Sequence, residues 1–420
     1  MKKTLLILFA FTTTNFLQSQ PYIDTEFRTR FLIDDGYSSP SGIDDNTICF
    51  ITQRSRLNAG YNGQELDAYI SLQDVRLWGD DNNFKKSGTY GNTESISIHQ
   101  AWFLLKPTNH ISLKVGRQLF SYDDQRIISS RNWNDYQVSY DAVMLQLKDS
   151  LNKLDIALSW NSESSANNLF NADKFRTIDF IRYERLLNSV TLSTIMAVTG
   201  KTISDTSDII TLKGTYGLNF QYSKNNANIR ASAYYQSGLN VHGPSIDAYC
   251  LSVFGSKIIS ASNTSAGLGI DYLSGEEGSL SVADYDNNRH TFDILYGRRH
   301  AYYGYMDYFS NLPTQGLIDI YIRLGQRLTK ATKLELDYHY FRLAANAYHP
   351  ENENEKMNNN LGNELDLTFK WKFMKIVELQ SGYSLYNTTS TLKVLKQQES
   401  ESVRFPQFFY VIITVKPRLL

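Results

Sequence analysis

This sequence has few cysteines and almost no net charge, and each of these two features excludes a class of protein. Only two cysteines, Cys49 and Cys250, occur in 420 residues, which excludes the disulfide framework of small secreted domains. We expect two free thiols, with one bridge between them as the alternative. The formal net charge of −1 excludes the basic stripe that a nucleic-acid partner would need.

The sequence also lacks the motifs of common active sites. Its seven histidines show no His-Glu-x-x-His spacing, and the two cysteines offer no zinc pair. Neither a Gly-x-Ser-x-Gly elbow nor a phosphate-binding glycine loop is present. We therefore expect no enzyme activity, no metal and no cofactor. A hydrolase triad assembled from separate strands is the alternative that a motif search does not detect.

The first residues carry a targeting pattern. Lys2 and Lys3 precede an apolar run at 5–11, and a small polar stretch ends near Ser19. This pattern is typical of a secretory signal peptide, which we place at residues 1–19. The run is too short to span a bilayer as a helix, and no helix-length apolar stretch follows it. Residues 20–420 are therefore expected to leave the cytoplasm as a single domain.

Segments of about ten residues alternate between apolar and polar positions along the whole mature chain. In the clearest case, the apolar positions are Ile210, Leu212, Tyr216, Leu218, Phe220 and Tyr222. The polar positions between them are Thr211, Lys213, Thr215, Asn219 and Gln221. A period of two predicts β-strands with one apolar face. We count about 18 such segments, from 24–33 to 407–416, with aromatic residues often at their ends.

The connections between these segments alternate in length. The long, polar connections are at 34–45, 79–93, 121–137, 161–174, 275–315, 346–360 and 387–403. Short turns at one end and long loops at the other are typical of an outer-membrane barrel. We therefore predict an all-β fold: a single transmembrane antiparallel β-barrel in the bacterial outer membrane, with short periplasmic turns, long extracellular loops and lipid around its wall. A soluble sandwich or propeller is the alternative.

Charged residues on these segments share a face with Ser, Thr, Asn and Gln. They should point inward, because Arg or Lys facing lipid at the bilayer midplane costs about 2–4 kcal/mol. Arginines are concentrated in the first third, at Arg28, Arg30, Arg54, Arg56, Arg76, Arg117, Arg126 and Arg131. Acidic residues occupy late strands, at Glu335, Asp337, Glu364, Asp366 and Glu378. Neighbours in sequence are neighbours around the wall, so we expect a basic arc and an acidic arc.

A series of short motifs resembles one known family. GRQ at 116–118, YDDQR at 122–126, RNW at 131–133 and YDAV at 140–143 are similar to motifs of the alginate export family of outer-membrane barrels. LQDVRLWGD at 72–80, HAYYGYMDYF at 300–309 and LGNEL followed by Asp366 extend the resemblance. Members of this family are 18-stranded barrels that pass anionic polysaccharide through an arginine-lined constriction.

The resemblance implies a porin that passes an anionic or polar carbohydrate by passive diffusion. The residues expected along the path are Arg28, Arg54, Arg56, Arg76, Arg117, Arg126, Arg131, Asp74, Asp123, Asp141 and Arg323. We expect the loop at 122–137 to fold into the lumen, and Asp74 and Arg76 to form a charge pair near the top of the wall. A periplasmic export or uptake partner is a further expectation.

Two questions stay open at this stage. The aromatic residues Tyr302, Tyr303, Tyr305 and Tyr308 either pack their own loop or stack against sugar rings. The protein as a whole is either a porin or, alternatively, an adhesion or structural barrel whose lumen is closed. Conductance separates these two functions, because only the porin passes ions.

Overall fold

The protein is described by a computed structural model that covers residues 20–79, 96–161, 175–243, 245–398 and 404–420. The predicted signal peptide at 1–19 lies outside the described residues. The same holds for nearly all of the predicted loops at 79–93 and 161–174, and for the end of the loop at 387–403. Within the described ranges, no helix has the length and apolarity needed to cross a membrane.

Eighteen antiparallel strands form one closed sheet, in which each strand pairs with its neighbours in the chain and the first strand pairs with the last. This confirms the predicted all-β barrel of about 18 strands. In chain order, the strands are β1 (Gln20–Asp35), β2 (Ile48–Asn62), β3 (Leu66–Leu77), β4 (Ser97–Leu105), β5 (Ile111–Gln118), β6 (Tyr140–Lys148), β7 (Asn152–Ser159), β8 (Thr177–Leu187), β9 (Val190–Thr202), β10 (Ile210–Lys224), β11 (Ala227–Leu239), β12 (Ser245–Ile259), β13 (Thr264–Leu273), β14 (Gly278–Ser279), β15 (Leu317–Arg327), β16 (Thr332–Arg342), β17 (Ala347–His349), β18 (Asn352–Lys356), β19 (Asn360–Met374), β20 (Val377–Thr388) and β21 (Gln407–Val415).

Three of these strands, β14, β17 and β18, form a small separate sheet within the loops. The regular helices of the described ranges are also short: a 3₁₀ turn at Arg299–Ala301 and the helix α1 at Ser390–Leu395. The barrel wall is therefore built from the other eighteen strands.

The alternation of the sequence places one face of each strand inside the barrel and the other outside. In β12, exposed and buried residues alternate over ten successive positions. Leu251 and Val253 face outward and are about half exposed, whereas Cys250 and Ser252 are buried. Cys49 and Cys250 are both free, which confirms the two expected thiols. Outward apolar residues make a wall suited to lipid, and inward polar residues make a polar interior.

The two ends of the barrel differ in their connections. At the short-turn end, Asn225 and Asn226 alone join β10 to β11, with φ values of 53° and 63°. Both values lie in the left-handed region, which asparagine tolerates and which a two-residue hairpin of type I′ requires. At the long-loop end, the described connections include residues 119–139 and 274–316. The predicted alternation of short turns and long loops is confirmed.

Two of the long connections fold back into the barrel. We name residues 119–139 the first inward segment and residues 274–316 the second inward segment. Their apolar side chains form a core with the inner wall, in which Phe120, Phe292, Met306, Phe309 and Leu392 of α1 are almost completely buried. The main hydrophobic core of this protein therefore lies inside the barrel, toward the long-loop end.

Candidate functional site

The interior of the barrel holds the candidate site, and its basic arc contacts the first inward segment. Arg28 Nη2 lies 2.5 Å from Asp135 Oδ1, and Arg30 Nη1 lies 3.3 Å from Asp135 Oδ2. Arg28 also donates to the carbonyl of Asn132 at 2.6 Å. Burial alone would raise the pKa of Asp135, but Arg30 and Arg28 outweigh burial and lower this pKa. The arginines of β1 thus anchor the segment to the wall.

The arginines of β2 are engaged in the same way. Arg54 is 1% exposed; its Nε donates to Glu26 at 2.8 Å, and its Nη2 donates to the side chain of Asn132 at 3.1 Å. Arg56 donates through Nε to Gln73 at 2.8 Å. These side chains point inward, as predicted, but their donors are used by the wall and by the inward segment. They support the segment rather than line open space.

Arg126 connects the first inward segment to strand β13 of the wall. Its Nη1 and Nη2 each lie 2.8 Å from a carboxylate oxygen of Asp271 on β13, and its Nε lies 2.8 Å from Asp124. The ring of Tyr302 covers the guanidinium at 4.0 Å. Asp123, also predicted on the path, accepts from Arg182 of β8 at 2.6 Å. Arg126 and Asp123 are therefore structural contacts between the segment and the wall.

Arg131 joins the two inward segments to each other. It donates through Nη2 to the carbonyl of Leu295 at 2.5 Å and through Nε to that of Gly297 at 3.2 Å. Burial, aided by the charge of Arg299, lowers the pKa of Arg131 to about 10. The expectation that the loop at 122–137 folds into the lumen agrees with these contacts.

One predicted pair, Arg117 and Asp141, lies on the outer face, which corrects the expectation that these two residues line the path. Arg117 and Asp141 are cross-strand partners with 43% and 61% exposed side chains, and 2.7 Å separates Nη2 from Oδ2. Asp74 lies opposite Ser55 of β2, and Arg76 borders a cavity at the long-loop end of the barrel. Their charge pair is present, with Arg76 Nε 2.7 Å from Asp74 Oδ2. Near strand ends charge can face outward at little cost, and Arg117 has the strand parity of the apolar Ile111, Leu113 and Val115.

The tyrosines of the second inward segment mostly pack the core. Tyr302, Tyr303 and Tyr308 are at most 6% exposed, and the Tyr308 hydroxyl donates to the carbonyl of Gly36 at 2.7 Å. Three of the four predicted aromatic residues are thus closed to solute, and the packing alternative is correct for them. Tyr305 differs, because its side chain lines a cavity.

The acidic arc contacts the second inward segment. The Glu364 carboxylate accepts from the backbone N–H of Met306 at 2.7 Å, and Asp366 accepts from that of Tyr305 at 3.4 Å. Gly304 has φ +83°, and a Cβ at this position would lie 2.3 Å from Glu364 Oε2. A glycine is needed there for both reasons, which explains its place in the motif at 300–309.

A cavity of about 390 Å³ lies on the inner wall of β11 to β19, toward the short-turn end. We name it the basic cavity; its charged and aromatic lining residues are Arg230, Arg298, Arg323, Lys333, Lys370, Glu335, Asp337, Phe254 and Tyr305. The guanidinium of Arg230 lies 4.9 Å from the ring centre of Phe254. Among the described residues, Arg230 and Arg298 have no ion-pair partner within 4 Å.

Only one of the predicted path arginines lines this cavity. Arg323 donates to the carbonyl of Ala301 at 2.8 Å and lies 3.4 Å from Asp337 through Nε. Arg230 faces inward by strand alternation, so its position was accessible to sequence analysis, but no motif marked it. Arg298 lies in the second inward segment, where alternation gives no information about direction.

A second cavity, of about 590 Å³, lies toward the long-loop end. We name it the aromatic cavity; the residues that characterise it are Arg30, Tyr37, Phe50, Thr52, Trp133, Asp135, Tyr136, Asp307 and Phe408. The interior is therefore divided into an aromatic compartment at one end and a basic compartment at the other. The described part of the chain contains no group of three or more His, Cys, Asp or Glu that could hold a metal.

Solved structures of similar shape include an outer membrane protein. OccK9 (OpdG) of Pseudomonas aeruginosa has a TM-score of 0.62 at 14% identity and covers 95% of this chain and 98% of its own. OccAB4 of Acinetobacter baumannii has a TM-score of 0.61 at 10% identity, covering 95% and 98%. The outer membrane protein OprD of Pseudomonas aeruginosa has 0.59 at 11% identity, covering 95% and 94%. At these identities the likeness shows the fold alone.

The sequence comparisons point to one family. No curated protein sequence matches this chain significantly. A family model described as alginate export matches residues 23–183 and 210–404, which together are most of the chain. With the eighteen-stranded barrel, this match places the protein in the bacterial outer membrane, with the short-turn end toward the periplasm. The chain belongs to the alginate export family.

Proposed function

We propose that this protein is a passive outer-membrane channel for an anionic or polar carbohydrate, and that the solute's anionic group binds in the basic cavity. The observation that carries the proposal is the pair of guanidiniums, Arg230 and Arg298, that face this cavity without a carboxylate partner among the described residues. We also propose that residues 1–19 are removed as a signal peptide and that a periplasmic export or uptake protein delivers or receives the solute.

The chemistry of the cavity suits a sugar acid. Two unit charges about 4 Å apart interact by about 4 kcal/mol at an effective dielectric near 20. Phe254 and Tyr305 add apolar ring surface, against which the C–H face of a sugar can pack. A volume of about 390 Å³ is in the range of small-molecule pockets, about 300–1,000 Å³.

The acidic residues beside the cavity limit the expected selectivity. Glu335 and Asp337 line the same space, and Lys333 Nζ lies 2.6 Å from Glu335 Oε1. Part of the positive field is therefore neutralised locally. We expect a modest preference for anions that weakens as salt shortens the Debye length, which is about 10 Å at 0.1 M.

The test is the reversal potential of single channels in a planar bilayer across a salt gradient. In the double variant Arg230→Gln/Arg298→Gln, we expect the anion preference to be lost, because the free guanidiniums are gone. The matched control is Arg117→Gln, which removes an arginine from the outer face and should leave the reversal potential unchanged. A clear cation preference of the unmodified protein, or an unaltered preference of the double variant, would contradict the proposal.

The second candidate is an adhesion or structural barrel with a closed lumen. The observation that favours it is the hydrophobic core formed by the two inward segments, which fills much of the interior. Complete absence of conductance in the unmodified, folded protein would support this candidate and exclude the passive channel.

A further inference from the structure

We infer that a stack of four planar groups, Arg30, Trp133, His300 and Tyr305, is the barrier that determines which solutes pass between the aromatic and basic cavities. The inference rests on the proposed channel function, because a barrier has a role only if solute crosses the interior. These residues come from β1, the first inward segment and the second inward segment.

The geometry of the stack is continuous. The guanidinium of Arg30 lies 4.4 Å from the ring centre of Trp133. The ring of Trp133 lies 3.6 Å from that of His300 at an angle of 11°, and His300 lies 4.5 Å from Tyr305 at 28°. Both faces of Trp133 are therefore covered, and His300 is enclosed between two aromatic rings.

The two cavities meet the stack at different members. Arg30 and Trp133 line the aromatic cavity, and Tyr305 lines the basic cavity. His300 lines neither cavity and is 8% exposed. The stack therefore separates the two spaces with layers of ring atoms and excludes water from its centre.

The stack also reaches the barrel wall. Tyr410 of β21 packs edge-on against Trp133 at 5.1 Å and against Tyr305 at 6.3 Å. Tyr410 of β21 and Arg30 of β1 thus place the stack in contact with the wall where the first and last strands pair. A solute that moves along this side of the interior must displace rings rather than pass behind them.

Hydrogen bonds hold the rings in register. His300 Nδ1 lies 2.9 Å from Asp307 Oδ1, and the other Asp307 oxygen accepts from the hydroxyl of Tyr37. Trp133 Nε1 donates to the same hydroxyl at 3.4 Å. The β1–β2 loop is thereby joined to both inward segments. Opening requires Trp133 to move away from His300, which belongs to a different segment.

Side-chain size at the stack should therefore set conductance. Aromatic constrictions limit ion flow by excluding water, so shortening a ring should let water and ions through. In planar bilayers we expect Trp133→Ala and Tyr305→Ala each to raise single-channel conductance by about twofold or more. The conservative variant Trp133→Phe keeps a ring against His300 and should conduct nearly as the unmodified protein does.

The control is Trp160→Ala, which removes an equally large side chain that is 57% exposed and lies outside the stack. Heat-modifiable migration in gels checks that every variant is folded. If the unmodified protein conducts and Trp133→Ala does not raise conductance, the barrier is refuted while the channel function stands. If the unmodified protein is silent, the passive channel is refuted, and the barrier loses the function on which it rests.

Discussion

Interior arginines in this barrel differ in the number of acceptors that surround them. Arg126 has two carboxylates and an aromatic face, and it is 4% exposed. Arg298 is exposed to a cavity and has no carboxylate within ion-pair distance in the described chain. Guanidiniums whose donors are all bonded to protein acceptors stabilise the fold. Guanidiniums with free donors bind water, which a solute anion can replace. The number of carboxylate partners therefore distinguishes an arginine that supports the fold from one that is available to bind a solute.

The contact between Arg126 and Asp271 gives a prediction about stability. Either Arg126→Met or Asp271→Asn alone leaves a buried group without its partner, which costs about 3–5 kcal/mol. Both single variants should lower the temperature at which the barrel shifts to its unfolded mobility in gels. The double variant should lose less than the sum of the two, because Asp271→Asn then removes one of the two carboxylates, Asp271 and Asp124, that Arg126→Met leaves without a cation. Additive losses would show that the two side chains do not interact.

Asp135 gives a prediction about pH. Although burial acts to raise its pKa, Arg30 and Arg28 lower the pKa of Asp135 in the folded protein below the ordinary value of 3.8. The ion pairs of Asp135 therefore stabilise the folded protein fully above pH 3.8. This stabilisation is lost as the pH falls through the lowered pKa. Below this range the first inward segment should loosen, and single-channel current should become noisier. Asp135→Asn should be noisier already at neutral pH and should show no further change with acid at this contact. Identical pH profiles for the two proteins would contradict the assignment.

At the scale of elements, each charged arc of the wall holds one inward segment. The basic arc of β1 and β2 binds carboxylate and carbonyl oxygens of the first segment, at Asn132, Trp133 and Asp135. The acidic arc of β19 binds backbone N–H groups of the second segment. The chemistry is complementary, since cations meet acceptors and anions meet donors. The uneven distribution of charge along the chain thus has a structural cause.

Removal of the first inward segment should therefore change selectivity as well as size. If a short glycine-serine linker replaces residues 123–137, Arg28, Arg30 and Arg54 lose their partners in the segment. We expect higher conductance and a stronger preference for anions, measured by reversal potential, because these guanidiniums then face water. Replacement of the exposed strand β18 (Asn352–Lys356), which lies outside the barrel wall, by the same linker serves as the control. Higher conductance without a change in selectivity would show that the wall acids neutralise the released arginines.

The sequence was sufficient for the strands and insufficient for the site. A period of two is a local property, so Arg54 and Arg230 could both be assigned to the inner face from their neighbours. Arg117 and Asp141 share the parity of Val115 and Val143, so the same period places them outward, and the path prediction followed their charge instead. Trp133 and His300 are separated by a large part of the chain, and their contact depends on two irregular segments without a period. The motifs marked those segments but not the direction of their side chains.

At the scale of the whole molecule, the barrel is asymmetric along its axis. Toward the long-loop end the interior contains a hydrophobic core and the aromatic cavity; toward the periplasm it contains the basic cavity. A solute entering from outside would meet aromatic edges first and free positive charge last. Large apolar residues face outward around the wall, so the asymmetry lies in the interior, in the inward segments and the charged inner face of the strands.

The seam between β1 and β21 has a consequence for how the chain folds. At this seam the Gln407 amide donates to Asp35, 372 positions earlier in the chain. The other neighbouring strands of the barrel are consecutive along the chain, but this closure must bring its distant ends together against chain entropy. Closure is thus the late, slow step of assembly. Until it occurs, β1 and β21 are unpaired edges that can recruit other strands and aggregate.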